Sequence, residues 1–352
     1  MVDAALAKRP ARLRSPPRLD GAAAGADTVC PRPAYVPSAS LVSPPGRGIS
    51  GTDSTRRART QPQDRSQAGG DNEKMSEPTA PQRKPESNQA ERRRWNDPVW
   101  VARWLNRQAL TSAVSGYLLD SLAPADGERI LEIGSGAGRA TLALAAAVPR
   151  GAVTGADISR PLSGLARQRA VDQGVANVSF VVADVQHDTI PGGPFDAAAS
   201  QFGVMFFDEP VVAFANIRAQ LAPGGRLAFV CWQAPAKNPW FVGPSLAPFV
   251  APAPPPAVGK SPTGPFSLAD PDHTTSILAA AGWSAIERTA YERTVTVDPD
   301  AIVDDGQLTF LGVADRDFDA ARTAVNDHLA DLRRDDGRYN APLAFQVFTA
   351  AR

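Results

Sequence analysis

The alternation of apolar and polar positions changes character along the chain, and those changes divide it. From Met1 to about Gln89 the sequence is rich in Pro, Arg, Ser, Gly and Ala and shows neither helical nor alternating periodicity. Such a stretch cannot bury enough apolar area to offset its ordering entropy, so residues 1–90 are expected to form a disordered tail. Met75-Ser76-Glu77, just before the change of texture, leaves two translation starts open, Met1 and Met75. From Glu91 the periodicity becomes helical. Asp97-Pro98 is an N-cap and first-turn pair, and Trp100/Trp104 with Val101/Leu105 form an i,i+4 stripe. A second helix is predicted from Thr111 to about Leu122, so that 91–125 supplies cap helices at the start of a domain spanning 91–352.

Beyond the cap, short β-like runs alternate with helical stretches. Arg129-Ile130-Leu131 leads into a glycine run and then the helix-forming Arg139 to Ala147. Gly151 to Ala156, Val178 to Ala183, Pro194 to Gln201 and Arg226 to Trp232 read as further strands, the last entered through the turn Leu221-Ala-Pro-Gly-Gly225. Gln233 to Phe266 is crowded with Pro and Ala, including Pro254-Pro255-Pro256, and 234–268 is expected to act as a lid, with a short helix starting at Asn238-Pro239-Trp240. Asp270-Pro271-Asp272 caps a helix ending near Ala281-Gly282. Trp283 to Thr296 reads as a long strand, Arg316 to Arg333 as a helical insertion and Leu343 to Phe348 as the closing strand. The order predicts an α/β fold, doubly wound, with helices on both faces of a mostly parallel sheet.

The chemistry concentrates in Glu132-Ile133-Gly134-Ser135-Gly136-Ala137-Gly138. Alternate glycines tolerate positive φ and let a ligand lie against the backbone where a helix begins, which makes this a cradle for a nucleotide-type cofactor. The dinucleotide fingerprint would put its third glycine at position 139, which is Arg139. The pattern left is E-x-G-x-G-x-G, and with it the chain resembles the class I S-adenosylmethionine-dependent methyltransferases.

That resemblance runs from about Trp95 to the C-terminus and is strongest from Arg129 to Trp232. It implies a Rossmann-like, seven-stranded sheet whose last strand is antiparallel, and S-adenosylmethionine as cofactor. Glu132, Gly134, Ser135, Gly136 and Gly138 would hold the amino acid portion. Asp157, which ends the second strand ~20 residues past the glycines, would accept from the ribose hydroxyls, with Ile158 beside it. Asp184 would accept from the adenine amine, with the Val185 backbone alongside, and Gln201 closes the fourth strand. Phe202 to Phe207 matches the loop facing the methyl group. Taken singly, Asp157 and Asp184 also suit ordinary caps, and the Phe202/Phe206/Phe207 cluster suits core packing. Trp100, Trp104, Phe202, Met205 and Trp240 are the acceptor-pocket candidates. His187 and His273 are the histidines placed where a general base would matter, although displacement at an activated methyl needs mainly alignment.

Composition narrows the rest. The 352 residues carry 37 basic and 37 acidic side chains, so no charge excess directs the chain toward nucleic acid. Two cysteines without zinc-ligand spacing leave no disulfide framework and no metal site. No secretion signal or membrane-spanning run is evident, and a cytoplasmic location is expected. The expected activity is methyl transfer to a small hydrophobic or aromatic acceptor, at oxygen, nitrogen, sulfur or carbon. The rivals are a nicotinamide-dependent oxidoreductase and a non-catalytic binding protein of the same fold, and monomer and homodimer both stay open.

Overall fold

A computed structural model describes residues 88–106, 108–252 and 261–352, all within the unit Ser76–Arg352. The expected tail up to residue 87, Met75 and the Pro254–Pro256 run lie outside the described residues.

The first helix, α1 (Gln89–Asn96), starts ahead of the expected boundary at Glu91. The reason is Asn88, a buried residue at φ +52 whose side chain bonds to distant loops rather than to its own helix. Asp97 caps α2 (Pro98–Asn106) as its type predicts, accepting from the Trp100 amide at 2.9 Å. The single helix expected over 111–122 is broken into α3 (Gln108–Ser112) and α4 (Ser115–Leu122). The Thr111 carbonyl, which a continuous helix would offer to the Ser115 amide, accepts instead from the Val114 amide (3.1 Å) and the Gln201 side chain (3.0 Å).

The strand-and-helix alternation follows: β1 (Arg129–Ile133), α5 (Arg139–Ala147), β2 (Ala152–Asp157), α6 (Arg160–Asp172), β3 (Val178–Val182), β4 (Phe195–Gln201), α7 (Pro210–Ala219) and β5 (Leu221–Trp232). Then come α8 (Gly243–Leu246), α9 (Pro271–Ala280), β6 (Ser284–Val297), α10 (Asp305–Leu311), α11 (Phe318–His328) and β7 (Tyr339–Ala351). The sheet order is β3-β2-β1-β4-β5-β7-β6, parallel except for β7, which runs antiparallel to β5 and β6. This is the expected seven-stranded, doubly wound α/β sheet. Its middle strands are covered on both faces, which explains their nearly unbroken apolar sequences: Ile130, Leu131 and Ile133 of β1 and Ala197, Ala198 and Ala199 of β4 are all buried.

The turn before the fifth strand is absorbed into β5 as an irregularity. Phe195 pairs with Leu221 but Ala197 pairs with Arg226, so the Pro223-Gly224-Gly225 stretch loops out, with Gly224 at φ +79. Two helical expectations need correction. Asn238 does not start a helix; it is buried, and its amide bonds the Ala344 N–H and carbonyl at 2.9 Å each, pinning the segment to β7, so the helix waits until Gly243. The insertion before β7 contains α10 as well as the expected helix near Arg316, because Asp304 caps the Gln307 amide at 2.7 Å.

Candidate active site

The C-terminal ends of β1, β2 and β4 open into a cavity of about 270 Å³, the crevice where open α/β sheets bind ligands. Its polar wall is built by the glycine run. Gly134, Gly136 and Gly138 all have positive φ (+68, +52 and +82), as their type suggests, but they do different things. A side chain on Gly134 would strike the Gly203 backbone at 2.7 Å, so this glycine lets the β1 and β4 turns cross. Gly136 faces the cavity, and a Cβ there would meet the Trp104 indole at 2.7 Å. Gly138 does not line the cavity; it packs the start of α5 against Ala166 and Phe180 of the α6–β3 layer, which corrects its assignment to the ligand.

Asp157 holds this turn in shape. One carboxylate oxygen accepts from the Gly136 amide and the other from the Ser159 amide, each at 2.7 Å. A carboxylate has about four acceptor sites, so each oxygen keeps one toward the cavity that Asp157 lines. Burial pushes its carboxyl up to about 6, against the opposing pull of the two amides. Glu132 is more deeply enclosed. It accepts from the Thr141 hydroxyl on α5, and burial, aided by the nearby Asp157, lifts its carboxyl to about 8. Two neighbouring groups of this wall, Ser135 Oγ and Gln108 Nε2, are buried without a hydrogen-bond partner among the described residues. Unpaired buried donors cost about 1–3 kcal/mol each, and their presence fits a site completed by a polar ligand. The carbonyl of Gln108 accepts from Arg169 (3.3 Å), which also donates to the Ala137 carbonyl (2.9 Å).

Asp184, Ile158, Val185 and Gln201 line the same cavity. Asp184 is held by the Gln186 amide (3.1 Å) and by Asn88 Nδ2 (3.0 Å), with Arg92 of α1 at 3.7 Å. Gln201 is taken up by the cap, accepting from the Ser115 hydroxyl at 2.8 Å. The cap helix α1 is fastened at both ends over the strand tips. Asn88 also exchanges bonds with Asp208 (3.0 and 3.3 Å), and Asn96 bonds the Ile158 carbonyl (3.1 Å) and the Arg160 amide (3.0 Å).

Much of the remaining wall is aromatic, and its cap tryptophans pack directly against the glycine turn. Trp95 meets Trp100, Trp104 and Phe206 edge-on, with ring centres 5.4 to 6.0 Å apart. Phe202 stacks on Trp232 at 4.1 Å while holding φ +62, a conformation a bulky residue adopts only under the constraint of its surroundings. Trp240 closes on Trp232, and Met205 and Phe207 complete the wall. All five predicted pocket residues, Trp100, Trp104, Phe202, Met205 and Trp240, are therefore brought together. Asn88, Trp95, Gln108 and Trp232 were not foreseen. Trp232 alone carried a signal, as a large aromatic at the C-terminal end of a predicted strand.

Neither candidate histidine reaches this cavity. His187 lies beyond Asp184, with its ring 3.1 Å from the Gln186 amide and 3.8 Å from Glu209. His273 sits in the first turn of α9 and lines a separate pocket with Phe266 and Leu268. The base role assigned to them is withdrawn on that geometry. Among the described residues no cluster of His, Cys, Asp or Glu is arranged to hold a metal.

Comparison with known proteins agrees with this architecture. Residues 130–225 match the family model of a methyltransferase domain. The chain is 33% identical over 134 residues to aklanonic acid methyltransferase DauC of Streptomyces sp. (strain C5), covering 38% of this chain and 61% of that protein. It is 36% identical over 111 residues to demethylmenaquinone methyltransferase of Thermus thermophilus, covering 32% and 50%. It is 33% identical over 111 residues to the ubiquinone/menaquinone biosynthesis C-methyltransferase UbiE of Saccharophagus degradans, covering 31% and 45%. Residues 130–225 form a methyltransferase domain of the class I S-adenosylmethionine-dependent type. The matches span roughly half the length of these relatives, and the family-model match runs from β1 into β5, the stretch in which the glycine turn, Asp157 and Asp184 lie.

Proposed function

We propose that this methyltransferase moves a methyl group from S-adenosylmethionine to a small, largely apolar or aromatic acceptor. The observation that carries the reading is a single cavity lined both by a buried carboxylate-and-glycine turn and by a cluster of aromatic side chains. The cofactor would supply a methyl already activated on a sulfonium. Asp157, with an acceptor site left on each oxygen, would take the two ribose hydroxyls. Asp184 would take the adenine amine from the neighbouring strand tip, sharing its carboxylate with Asn88. Glu132, Ser135 and Gln108 would meet the amino acid end, where a cation and a carboxylate need an acid and donors. The wall of Trp95, Trp100, Trp104, Phe202 and Trp232 would exclude water and hold a flat acceptor by its faces. Alignment of this kind supplies roughly 7–11 kcal/mol without a dedicated base. The names of the relatives, which carry a polyketide-type acid and quinone precursors, support the acceptor class. No helix among the described residues is long and apolar enough to cross a membrane, and a cytoplasmic location is part of the proposal.

Calorimetric titration with S-adenosylhomocysteine and with NADH, followed by a labelled-methyl screen over phenols, quinols and amines, tests it. S-adenosylhomocysteine is expected to bind, NADH not, and label to pass to a phenol or quinol. Binding of NADH alone would replace the reading with the oxidoreductase one. Cofactor binding without transfer to any acceptor would favour a silent binding protein.

A further inference from the structure

The sheet ends at β6, and that end is unusual. β6 runs for fourteen residues and pairs with β7 along one side; among the described residues no strand pairs with its other side. Side chains alternate between the two faces of a strand, yet Glu287, Arg288, Thr289 and Ala290 in succession are all exposed, as are Glu292, Arg293 and Thr294. Apart from Tyr291, which packs on Tyr117 and Phe345, the side chains of Glu287 to Thr294 on both faces are exposed, and the outer row of backbone groups offers a template for another strand.

The sequence of that stretch specifies which strand. Glu287-Arg-Thr-Ala-Tyr-Glu-Arg293 is complementary to itself when run antiparallel about Ala290. Glu287 then faces Arg293, Arg288 faces Glu292, Thr289 faces Tyr291 and Ala290 faces Ala290, with each ion pair repeated across the dyad. Directly opposed residues share a face of the sheet, so these charges meet side by side. Sliding the pairing by one residue sets Glu287 against Glu292 in one direction and Arg288 against Arg293 in the other. Opposed like charges are destabilising, so the pattern disfavours both neighbouring registers. The irregularity between Ser284 and Glu287, with Ala285 at φ +46, ends the regular edge on the N-terminal side and leaves the complementary segment intact.

The charged side chains already have neighbours within the chain that leave them extended. Arg288 donates to Gln346 (2.6 Å), Glu292 pairs with Lys237 (2.9 Å) while staying 68% exposed, and Arg293 lies over the Tyr117 ring and bonds its hydroxyl. A charged edge ordinarily repels other strands. Here the same charges pair in this register and oppose one another in the two beside it.

We infer that two copies of this chain pair through β6, antiparallel about Ala290, joining their sheets into one continuous sheet across an isologous dyad. The cavity at the strand tips takes no part in the pairing, so the inference stands apart from the proposed activity.

Sedimentation velocity on the full chain, with two complementary charge reversals, tests it. The wild type is expected at twice the 37.1 kDa chain mass, shifting toward 37.1 kDa as salt is raised. Glu287→Arg with Glu292→Arg places four arginines on each edge and is expected to run as a monomer, as is Arg288→Glu with Arg293→Glu. An equimolar mixture of the two variants restores every pairing and is expected to return to the dimer mass. A monomeric wild type, dimers in both variants alone, or a mixture of folded variants that stays monomeric would overturn the inference. Should a variant lose its far-ultraviolet circular dichroism, hydrogen exchange on the wild type decides. Protection of the β6 amides that rises with protein concentration supports pairing between copies. Protection independent of concentration means the edge is covered from within one chain, or not at all, and overturns it.

Discussion

At the residue scale, two buried carboxyls dominate the site. Asp157 was expected to serve the ligand, and it also braces the protein, since its oxygens accept from Gly136 and Ser159 at 2.7 Å. Replacing it by alanine should therefore weaken S-adenosylhomocysteine binding by about 1–3 kcal/mol through lost ribose contacts and, in addition, loosen the glycine turn. Asp157→Asn keeps one carbonyl acceptor but turns its amide NH2 toward one of the two backbone N–H donors, so in calorimetry it too should bind more weakly than wild type. Equal affinity for wild type and both variants would remove Asp157 from the site. The same burial gives a pH signature. Glu132 titrates at about 8 and Asp157 at about 6 in the folded chain, against about 4 for carboxyls in an unfolded chain. A carboxyl raised on folding binds its proton more tightly in the native state, so native stability falls as pH rises from about 4 through about 6 and on to about 8. Denaturant unfolding of the ligand-free chain across that window should show the decline, and Glu132→Gln should flatten its upper part. A profile unchanged by that substitution would mean that Glu132 is already ionised at neutral pH.

At the element scale, the cap over the cavity is held from a distance. Arg103 of α2, which is 5% exposed, pairs at 3.2 Å with Asp304, the residue that also caps α10. Asp304→Ala removes both a helix cap and the partner of a buried guanidinium, and should lower stability by about 1–3 kcal/mol in denaturant unfolding. Because α2 carries Trp100 and Trp104, the acceptor KM should rise more than kcat falls; an unchanged KM would show that α10 does not set the position of α2. This brace also shows where the sequence stopped being legible. The strands, the glycine turn and both aspartates could be read because local patterns specify them: apolar runs bounded by turns, glycines at positive φ, an acid at a strand end. The break between α3 and α4 could not, since it depends on Gln201, ninety residues away, competing for the Thr111 carbonyl. Asn238 looked like a helix start beside a proline, but its amide serves Ala344, which is equally remote in sequence. His187 and His273 seemed near the site because sequence order placed them beside site segments, and only the folded chain shows their rings directed elsewhere. Asn88 lay ahead of the predicted cap, and long-range bonds give it its role, while Trp95 lay within the predicted cap helices but enters the wall through ring contacts that local pattern does not show.

At the scale of the whole molecule, the cavity is a meeting point of segments far apart in the chain. Its walls run from Asn88 through the β1, β2 and β4 tips to Trp240 and Pro265, and α1 is fastened to the loops after β2 and β3 by Asn96 and Asn88. A ligand that bridges these segments binds the native state and not the unfolded one, so its effect should be global. At a hundredfold excess over its Kd, S-adenosylhomocysteine should add about 2.7 kcal/mol to unfolding, which for a domain of this size raises Tm by roughly 5–10 °C. Because the cap closes onto the same cavity as the sheet, tryptophan fluorescence and far-ultraviolet circular dichroism should move together: three of the six tryptophans, Trp95, Trp100 and Trp104, sit in the cap, while the dichroism sums over the whole fold. Coincident shifts in the two signals would mean that cap and sheet unfold as one cooperative unit around the ligand. If fluorescence melts early and only the later dichroism transition responds to ligand, then α1 and α2 are a separable cover, and the bonds from Asn88 and Asn96 do not couple them to the bound cofactor.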